Sequence, residues 1–220
     1  MKLMKKIVAG SLATALLGGV ALPAAAEVSA SAAVATSYLW RGFDLGSGTP
    51  AASADIGVSA ESGLYAGLWV SSGDASAGTE YDVYAGYAGE AGDLSYDVML
   101  VSYVYPTGAN STTDGTIGDF MEVIVGLGYG PVSFTYYDNI AGDTGGYAAS
   151  EDYTYMTLGL DIENFSFLVG QHDEGSDDAT HFDISYAYND NLSFTLSILD
   201  SDAAVDPEPT FVASYSIAIE

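Results

Sequence analysis

The sequence has no cysteine, very few basic residues and no long apolar run beyond its first segment. Its 220 residues include 4 Lys+Arg against 30 Asp+Glu. Without cysteine the chain has no disulfide framework, no thiolate metal site and no cysteine nucleophile. The formal net charge of −26 excludes nucleic acid as an expected partner, because a chain this negative repels phosphates.

The apolar content excludes the disorder that such acidity otherwise suggests. The chain is 49% hydrophobic and contains 17 Tyr, whereas acidic disordered chains are poor in aromatic and β-branched residues. We therefore expect a folded chain rich in β-structure.

Three of the four basic residues lie at the start of the chain. Lys2, Lys5 and Lys6 precede an apolar run over residues 7–22, which is followed by Pro23 and three alanines. A charged start, an apolar stretch and a small-residue site are typical of a secretory signal peptide. We predict that residues 1–26 are this peptide and that residues 27–220 form the mature domain. The alternative is an uncleaved anchor, although the apolar run is short for a membrane helix.

From residue 28 onward, apolar residues alternate with small or polar ones, which is the period-2 pattern of β-strands. One face of a run reads Tyr81, Val83, Ala85 and Tyr87, for example, and the first run extends as far as Trp40. The whole chain contains about twelve such runs, each of the length that a strand needs.

The connections between these runs alternate between short turns and long polar loops. The short turns are rich in Gly, Asn and Pro, and the long loops cover residues 41–50, 72–79, 106–118, 139–151, 173–180 and 200–209. A soluble sandwich has no reason to segregate its loops by length, whereas outer-membrane barrels do. The pattern predicts an all-β fold: an up-and-down antiparallel transmembrane β-barrel of about twelve strands, with short periplasmic turns and long extracellular loops.

This fold class predicts a location and a set of partners. We expect the outer membrane of a Gram-negative bacterium, with the lipid bilayer and lipopolysaccharide around the barrel. Periplasmic chaperones and the barrel-assembly machinery are the expected partners during insertion. Aromatic residues at the ends of the runs predict two interfacial girdles, with Tyr38 and Trp40 near the long loops and Tyr87 and Tyr129 near the turns.

Part of the sequence resembles a known family. Residues 38–43 read Tyr-Leu-Trp-Arg-Gly-Phe, and together with residues 62–69, 80–87, 94–98 and 103–106 they resemble the TorF family of porins. This resemblance covers residues 36–106 well and the rest only in pattern. It implies an outer-membrane porin, and it implies no catalytic residues.

Alternation places a set of acidic side chains on the face opposite the apolar one, toward the lumen: Asp55, Glu61, Glu80, Asp82, Asp97, Glu122, Asp161 and Asp183. Acidic rings attract cations and repel anions. The sequence therefore predicts a porin-like channel for passive diffusion of small solutes, with a preference for cations. Arg41 is predicted to point inward at the rim and to pair with Glu80 or Asp82, with a purely structural ion pair as the alternative.

A second function remains open, because the lumen face also carries bulky side chains: Tyr65, Trp69, Met99, Tyr103, Tyr105, Tyr137, Tyr153 and Tyr155. If these residues fill the interior, the protein is a closed structural or adhesive barrel whose loops bind partners.

The two histidines are the remaining candidates for chemistry. His172 and His181 flank an acidic loop, and with Asp173 and Asp183 they are weak candidates for an acid–base pair or a divalent metal site. A barrel hydrolase is therefore the third hypothesis. Histidines at a loop rim are usually solvated, however, and we expect no catalysis and no cofactor.

Overall fold

The computed structural model describes residues 26–75, 77–108, 115–142, 153–173, 178–201 and 208–219. The predicted signal peptide lies outside the described residues except for Ala26, which begins the first strand. No helix in the described part of the chain is long and apolar enough to cross a membrane.

Within these described ranges the elements are all β-strands, and most of their bounds follow the predicted runs closely. They are β1 (Ala26–Ala35), β2 (Leu39–Trp40), β3 (Phe43–Asp44), β4 (Ala51–Ala60), β5 (Leu64–Asp74), β6 (Gly78–Ala91), β7 (Leu94–Val104), β8 (Phe120–Tyr129), β9 (Val132–Ala141), β10 (Thr154–Ile162), β11 (Phe165–Asp173), β12 (Ala179–Ala187), β13 (Leu192–Ser201) and β14 (Thr210–Ala218).

Twelve of these strands form a closed barrel, in which each strand from β4 to β14 pairs with its neighbour in sequence and β1 joins β4 to β14. Every pairing is antiparallel, as in Ala35↔Ala51 between β1 and β4 and Ala35↔Ser214 between β1 and β14. The prediction of a closed antiparallel barrel with twelve strands is confirmed. Strands β2 and β3 form a separate two-stranded sheet.

The outer surface of the barrel is apolar. Leu158 of β10 pairs with Phe134 of β9 and Val169 of β11, and all three side chains are exposed to the outside. The same face continues around the ring through Val34, Leu64, Val98, Leu127, Phe182, Ile198 and Phe211. Because successive side chains of a strand point to opposite sides, the intervening residues face the lumen.

Two predicted boundaries were wrong. The run from Val28 to Trp40 is not one strand, because β1 ends at Ala35 and the chain then leaves the wall. The predicted long loop over residues 72–79 is mostly strand, because β5 extends to Asp74 and β6 begins at Gly78. The strand register shifts between Ser71 and Asp74, and two of the polar residues that suggested a loop, Ser72 and Asp74, belong to β5.

Candidate functional site in the barrel lumen

The connection between β1 and β4 folds into a small hairpin formed by β2 and β3. Trp40 pairs with Phe43, and the two residues between them, Arg41 and Gly42, both have positive φ, at 46° and 88°. A two-residue turn with two positive φ angles is the type I′ turn that closes tight hairpins. A Cβ added to Gly42 would lie 2.5 Å from the Cβ of His181 in β12, so the turn presses against the barrel wall. We call residues 37–48 the plug hairpin.

The plug hairpin lies inside the lumen and contacts strands on different sides of the ring. On β6, Glu80 accepts a hydrogen bond of 2.6 Å from the hydroxyl of Tyr38. On β11, Nε2 of His172 lies 2.8 Å from the backbone oxygen of Arg41. This connection is the long one that the sequence predicted, but it folds into the lumen. The placement of Tyr38 and Trp40 in an outer girdle was wrong. Tyr38 instead packs against Trp69, with ring centroids 6.2 Å apart.

Arg41 is buried at the tip of the hairpin and bound to a carboxylate in two places. Its Nη1 donates to Oε1 of Glu122 at 2.8 Å, and its Nη2 donates to Oε2 at 2.6 Å. Nη1 also donates to the hydroxyl of Tyr153 at 3.0 Å. The prediction that Arg41 points inward was right, but the predicted partners, Glu80 and Asp82, were wrong. Glu122 is fully buried, and such a bidentate pair is among the stronger hydrogen-bonded contacts in proteins.

Aromatic rings surround the same guanidinium group. The guanidinium carbon lies 4.8 Å from the ring centroid of Trp40, 4.3 Å from Tyr137, 4.8 Å from Tyr155 and 5.7 Å from Tyr153. These distances are within the range of cation–π attraction. We call the four rings together with Glu122 the guanidinium cage.

The histidines complete this network. Both are buried, which contradicts the expectation that they are solvated. His172 is 0% exposed, and its Nδ1 lies 2.9 Å from the hydroxyl of Tyr153. A carbonyl oxygen only accepts, so Nε2 of His172 donates to Arg41 and Nδ1 accepts from Tyr153. The hydrogen bonds therefore run in a closed circuit, from Arg41 to Tyr153 to His172 and back to the Arg41 carbonyl.

His181 is bound in a similar way. Its Nε2 lies 2.7 Å from the hydroxyl of Tyr155, and its Nδ1 lies 3.0 Å from Oδ1 of Asp183. Gly170 leaves space for this pair, because an added Cβ would lie 2.1 Å from Nε2 of His181. The fourth candidate ligand, Asp173, is exposed and follows the inward-pointing His172 in β11, so its side chain lies on the other face. Within the described ranges, no group of three or more His, Asp or Glu is placed to hold a metal ion.

Most of the predicted acidic residues lie on the lumen wall. Glu80, Asp82 and Asp55 are buried there, and Glu80 accepts a second hydrogen bond of 2.7 Å from Tyr105. Asp97 accepts a hydrogen bond of 2.6 Å from Tyr65. Oδ1 of Asp82 and Oδ2 of Asp55 are buried and have no hydrogen-bond partner among the described residues.

Two acidic residues lie elsewhere. Glu61 was predicted in the lumen, but it is exposed in the turn between β4 and β5, and that placement was wrong. Asp161 occupies an inward-facing position in the alternation of β10, but it is exposed near the short-turn end of that strand. Ser166 donates a hydrogen bond of 2.5 Å to it there. The contribution of the acidic residues to ion selectivity stays a prediction.

All eight bulky residues that the sequence placed on the lumen face belong to one apolar cluster or pack against it. The cluster also contains Tyr84, Val101, Phe120 and Ile124, which the sequence analysis missed. Tyr84 was detectable, because it follows Asp82 by two residues and therefore shares its face. Its ring lies over Gly67, where an added Cβ would be 1.5 Å from Cζ of Tyr84. The cluster and the plug hairpin together occupy the lumen near the long-loop end.

Comparison with known proteins gives distant structural similarity. The chain is similar to OccK10 (OpdN) of Pseudomonas aeruginosa, at 13% identity and a TM-score of 0.41 over 78% of this chain and 62% of that one. It is also similar to OccK5 (OpdH) of the same organism, at 12% identity and a TM-score of 0.40 over 86% of this chain and 63% of that one. A third similar structure is OccAB2 of Acinetobacter baumannii, at 10% identity and a TM-score of 0.38 over 78% of this chain and 55% of that one. The chain thus spans less than two thirds of each of these structures.

No curated protein sequence matches the chain. One family model does, over residues 21–205, and its description is a bacterial protein of unknown function, Gcw_chp. The more specific assignment to TorF stays a prediction. Because the model covers most of the sequence, the chain belongs to the Gcw_chp family of bacterial proteins.

Proposed function

We propose that the protein is a porin-like channel for small solutes that prefers cations and is closed at rest by the plug hairpin. One observation carries the proposal: the lumen wall holds the buried carboxylates Glu80, Asp82 and Glu122, while Arg41 is the one Lys or Arg of residues 27–220. Since Glu122 already neutralises Arg41, no Lys or Arg of residues 27–220 remains to offset a negative potential from the other carboxylates. Walls of low dielectric constant strengthen such a potential along the axis of the barrel.

The proposed location is the outer membrane of a Gram-negative bacterium. A closed ring pairs the backbone groups of its strands, which is what a sheet needs in order to lie in lipid. The apolar outer surface around Leu158 is suited to contact with acyl chains. Lipopolysaccharide around the barrel, and chaperones and the barrel-assembly machinery during insertion, belong to the same proposal.

Planar-bilayer recordings test the ion preference. Under a gradient of KCl, we expect a reversal potential of the sign that K⁺ selectivity produces, because acidic pores exclude chloride. The double variant Glu80→Gln, Asp82→Asn should reduce that potential, whereas Asp93→Asn, which removes a charge from an exposed turn, should leave it nearly unchanged. A reversal potential that shows anion preference would contradict the proposal.

A closed structural or adhesive barrel is the second candidate, and the aromatic cluster favours it. Tyr84, Tyr103 and Tyr155 are each 3% exposed and meet within the lumen. Swelling of liposomes in graded sugars separates the two candidates. Swelling that depends on sugar size, in the parent or in an Arg41→Ala variant that lacks the ion pair of the plug hairpin, supports a pore. Its absence from both proteins, together with silent bilayers, supports the closed barrel.

Hydrolysis and metal binding at the histidines receive little support from the geometry. Each ring of His172 and His181 has protein partners at both nitrogens. A general base or a metal ligand needs a free nitrogen, so these side chains fit a structural role in holding the plug hairpin.

A further inference from the structure

We propose that the guanidinium cage is a binding site for solutes that carry a guanidinium group, and that Arg41 occupies this site at rest as an internal substitute for the solute. The inference rests on the proposed function to the extent that a solute reaches the cage through the lumen. It adds the chemical class of the ligand and a reason for the closed state.

The barrel wall supplies most of the cage without the plug hairpin. Glu122 lies on β8, Tyr137 on β9 and Tyr155 on β10, which are consecutive strands of the ring. Tyr137 pairs directly with Tyr155 across the ladder, and their ring centroids are 5.1 Å apart. Trp40 is the one ring that the hairpin contributes. The wall therefore keeps a carboxylate and neighbouring aromatic faces in place when the hairpin moves.

Glu122 has support that does not depend on Arg41. The hydroxyl of Tyr103 donates to its Oε2 at 2.7 Å, and Tyr103 itself stacks on Phe120 with centroids 4.8 Å apart. The carboxylate consequently stays oriented toward the lumen after Arg41 leaves. A site whose anion is already oriented loses less entropy when it binds a ligand.

The shape of the cage matches a guanidinium group better than an ammonium group. A planar guanidinium forms two hydrogen bonds to Glu122 while its carbon lies over the rings of Tyr137 and Trp40, as Arg41 does. A primary ammonium is a compact, strongly hydrated charge that does not reproduce this fork. We therefore expect the order guanidinium, then ammonium, with neutral analogues weakest.

The internal substitute is held in a conformation that favours release. Arg41 has a φ of 46°, and a residue with a Cβ pays a conformational penalty in this left-handed region. A competing solute that takes over the contacts with Glu122 allows the turn to relax. Binding of the solute is thereby coupled to displacement of the plug hairpin.

The test uses the full barrel in detergent, with Arg41→Ala to empty the cage and methylguanidinium as the probe. We expect saturable quenching of tryptophan fluorescence, with methylguanidinium binding about tenfold more tightly than methylammonium and with no saturation by methylurea. Adding Glu122→Gln to Arg41→Ala should weaken the binding of methylguanidinium about tenfold or more, because the hydrogen bonds to a charged carboxylate are lost. The matched control adds Asp97→Asn instead, which changes a lumen carboxylate outside the cage and should leave the affinity unchanged.

Equal responses to methylguanidinium, methylammonium and methylurea would overturn the inference, as would binding that Glu122→Gln does not change. If Arg41→Ala does not fold, its refolding yield is compared in the three compounds. A yield raised by methylguanidinium alone supports the inference, and equal yields overturn it. Conductance of the same variant is recorded separately. Selective binding without conductance would contradict the proposed channel, and conductance without selective binding would contradict this inference alone.

Discussion

Arg41 and Glu122 form a buried ion pair in which nearly every polar atom has a partner. Removing two charges from water is expensive, and such a pair is favourable only when further hydrogen bonds complete it. Here Tyr103 donates to the carboxylate, and Tyr153 accepts from the guanidinium. The pair therefore fixes the position of the plug hairpin. If the hairpin moves and no other cation replaces Arg41, the buried carboxylate of Glu122 loses its counter-charge.

We expect Glu122→Gln to lower the free energy of unfolding by about 3–5 kcal/mol, because it leaves a buried guanidinium without its counter-charge. Urea unfolding in lipid vesicles, followed by tryptophan fluorescence, measures the change. The double variant Arg41→Met, Glu122→Leu removes both charges and should lose clearly less stability than the single variant. A Glu122→Gln protein as stable as the parent would show that the pair contributes nothing to the fold.

The sequence predicted the acidic residues of the lumen better than it predicted their partners. Alternation alone places Glu80, Asp82 and Glu122 on one face, because the period of a strand is two. The choice among them as the partner of Arg41 depends on how far the hairpin enters the barrel. Local sequence patterns carry no information about that distance, so Glu80 and Asp82 were the wrong choice.

The plug hairpin is the element whose position differs most from the sequence-based prediction. Its sequence reads as the end of a strand, since Tyr38 and Trp40 continue the alternation of β1. The turn at Arg41 and Gly42 instead reverses the chain inside the barrel, and Gly42 has both the φ of 88° and the contact with His181 that exclude a side chain.

We expect Gly42→Ala to displace the plug hairpin, because a methyl group would lie 2.5 Å from the Cβ of His181. Single-channel recordings should then show longer or more frequent open events than in the parent protein. Gly48→Ala is the matched control: Gly48 has a φ of 72°, but no atom of the described residues lies within 4 Å of an added Cβ. It should add backbone strain of about 1 kcal/mol without opening the channel. Identical recordings from the two variants would argue against a plug role for this hairpin.

At the scale of the whole molecule, the barrel separates an apolar outside from a polar and aromatic inside. Closure through β1 leaves the twelve-stranded wall without a free edge, and an open edge in lipid would expose unpaired backbone groups. The outer face is thus apolar along every strand, whereas the polar and aromatic side chains of the inner face differ from strand to strand.

We expect Leu158→Arg to impair insertion into phosphatidylcholine vesicles and to destabilise the inserted barrel by about 2–4 kcal/mol, because residue 158 is at the middle of an outward-facing strand. Ile117→Arg is the matched control, since Ile117 is 69% exposed but lies in the connection between β7 and β8. Folding yield and urea unfolding in vesicles measure both effects. Equal tolerance of the two substitutions would mean that the outer face does not contact acyl chains.

The sequence by itself determined the twelve-stranded wall, its apolar outer face and its acidic inner face. These features are local. Alternate residues of a strand point to opposite faces of the sheet, and a few Gly, Asn or Pro residues specify each turn. Only the tertiary structure decided that residues 37–48 enter the lumen and that Arg41 pairs with Glu122 and not with Glu80 or Asp82. That outcome depends on partners 81 and 131 positions away from Arg41, at Glu122 and His172. Such contacts form only once the ring has closed and its opposite walls face one another across the lumen.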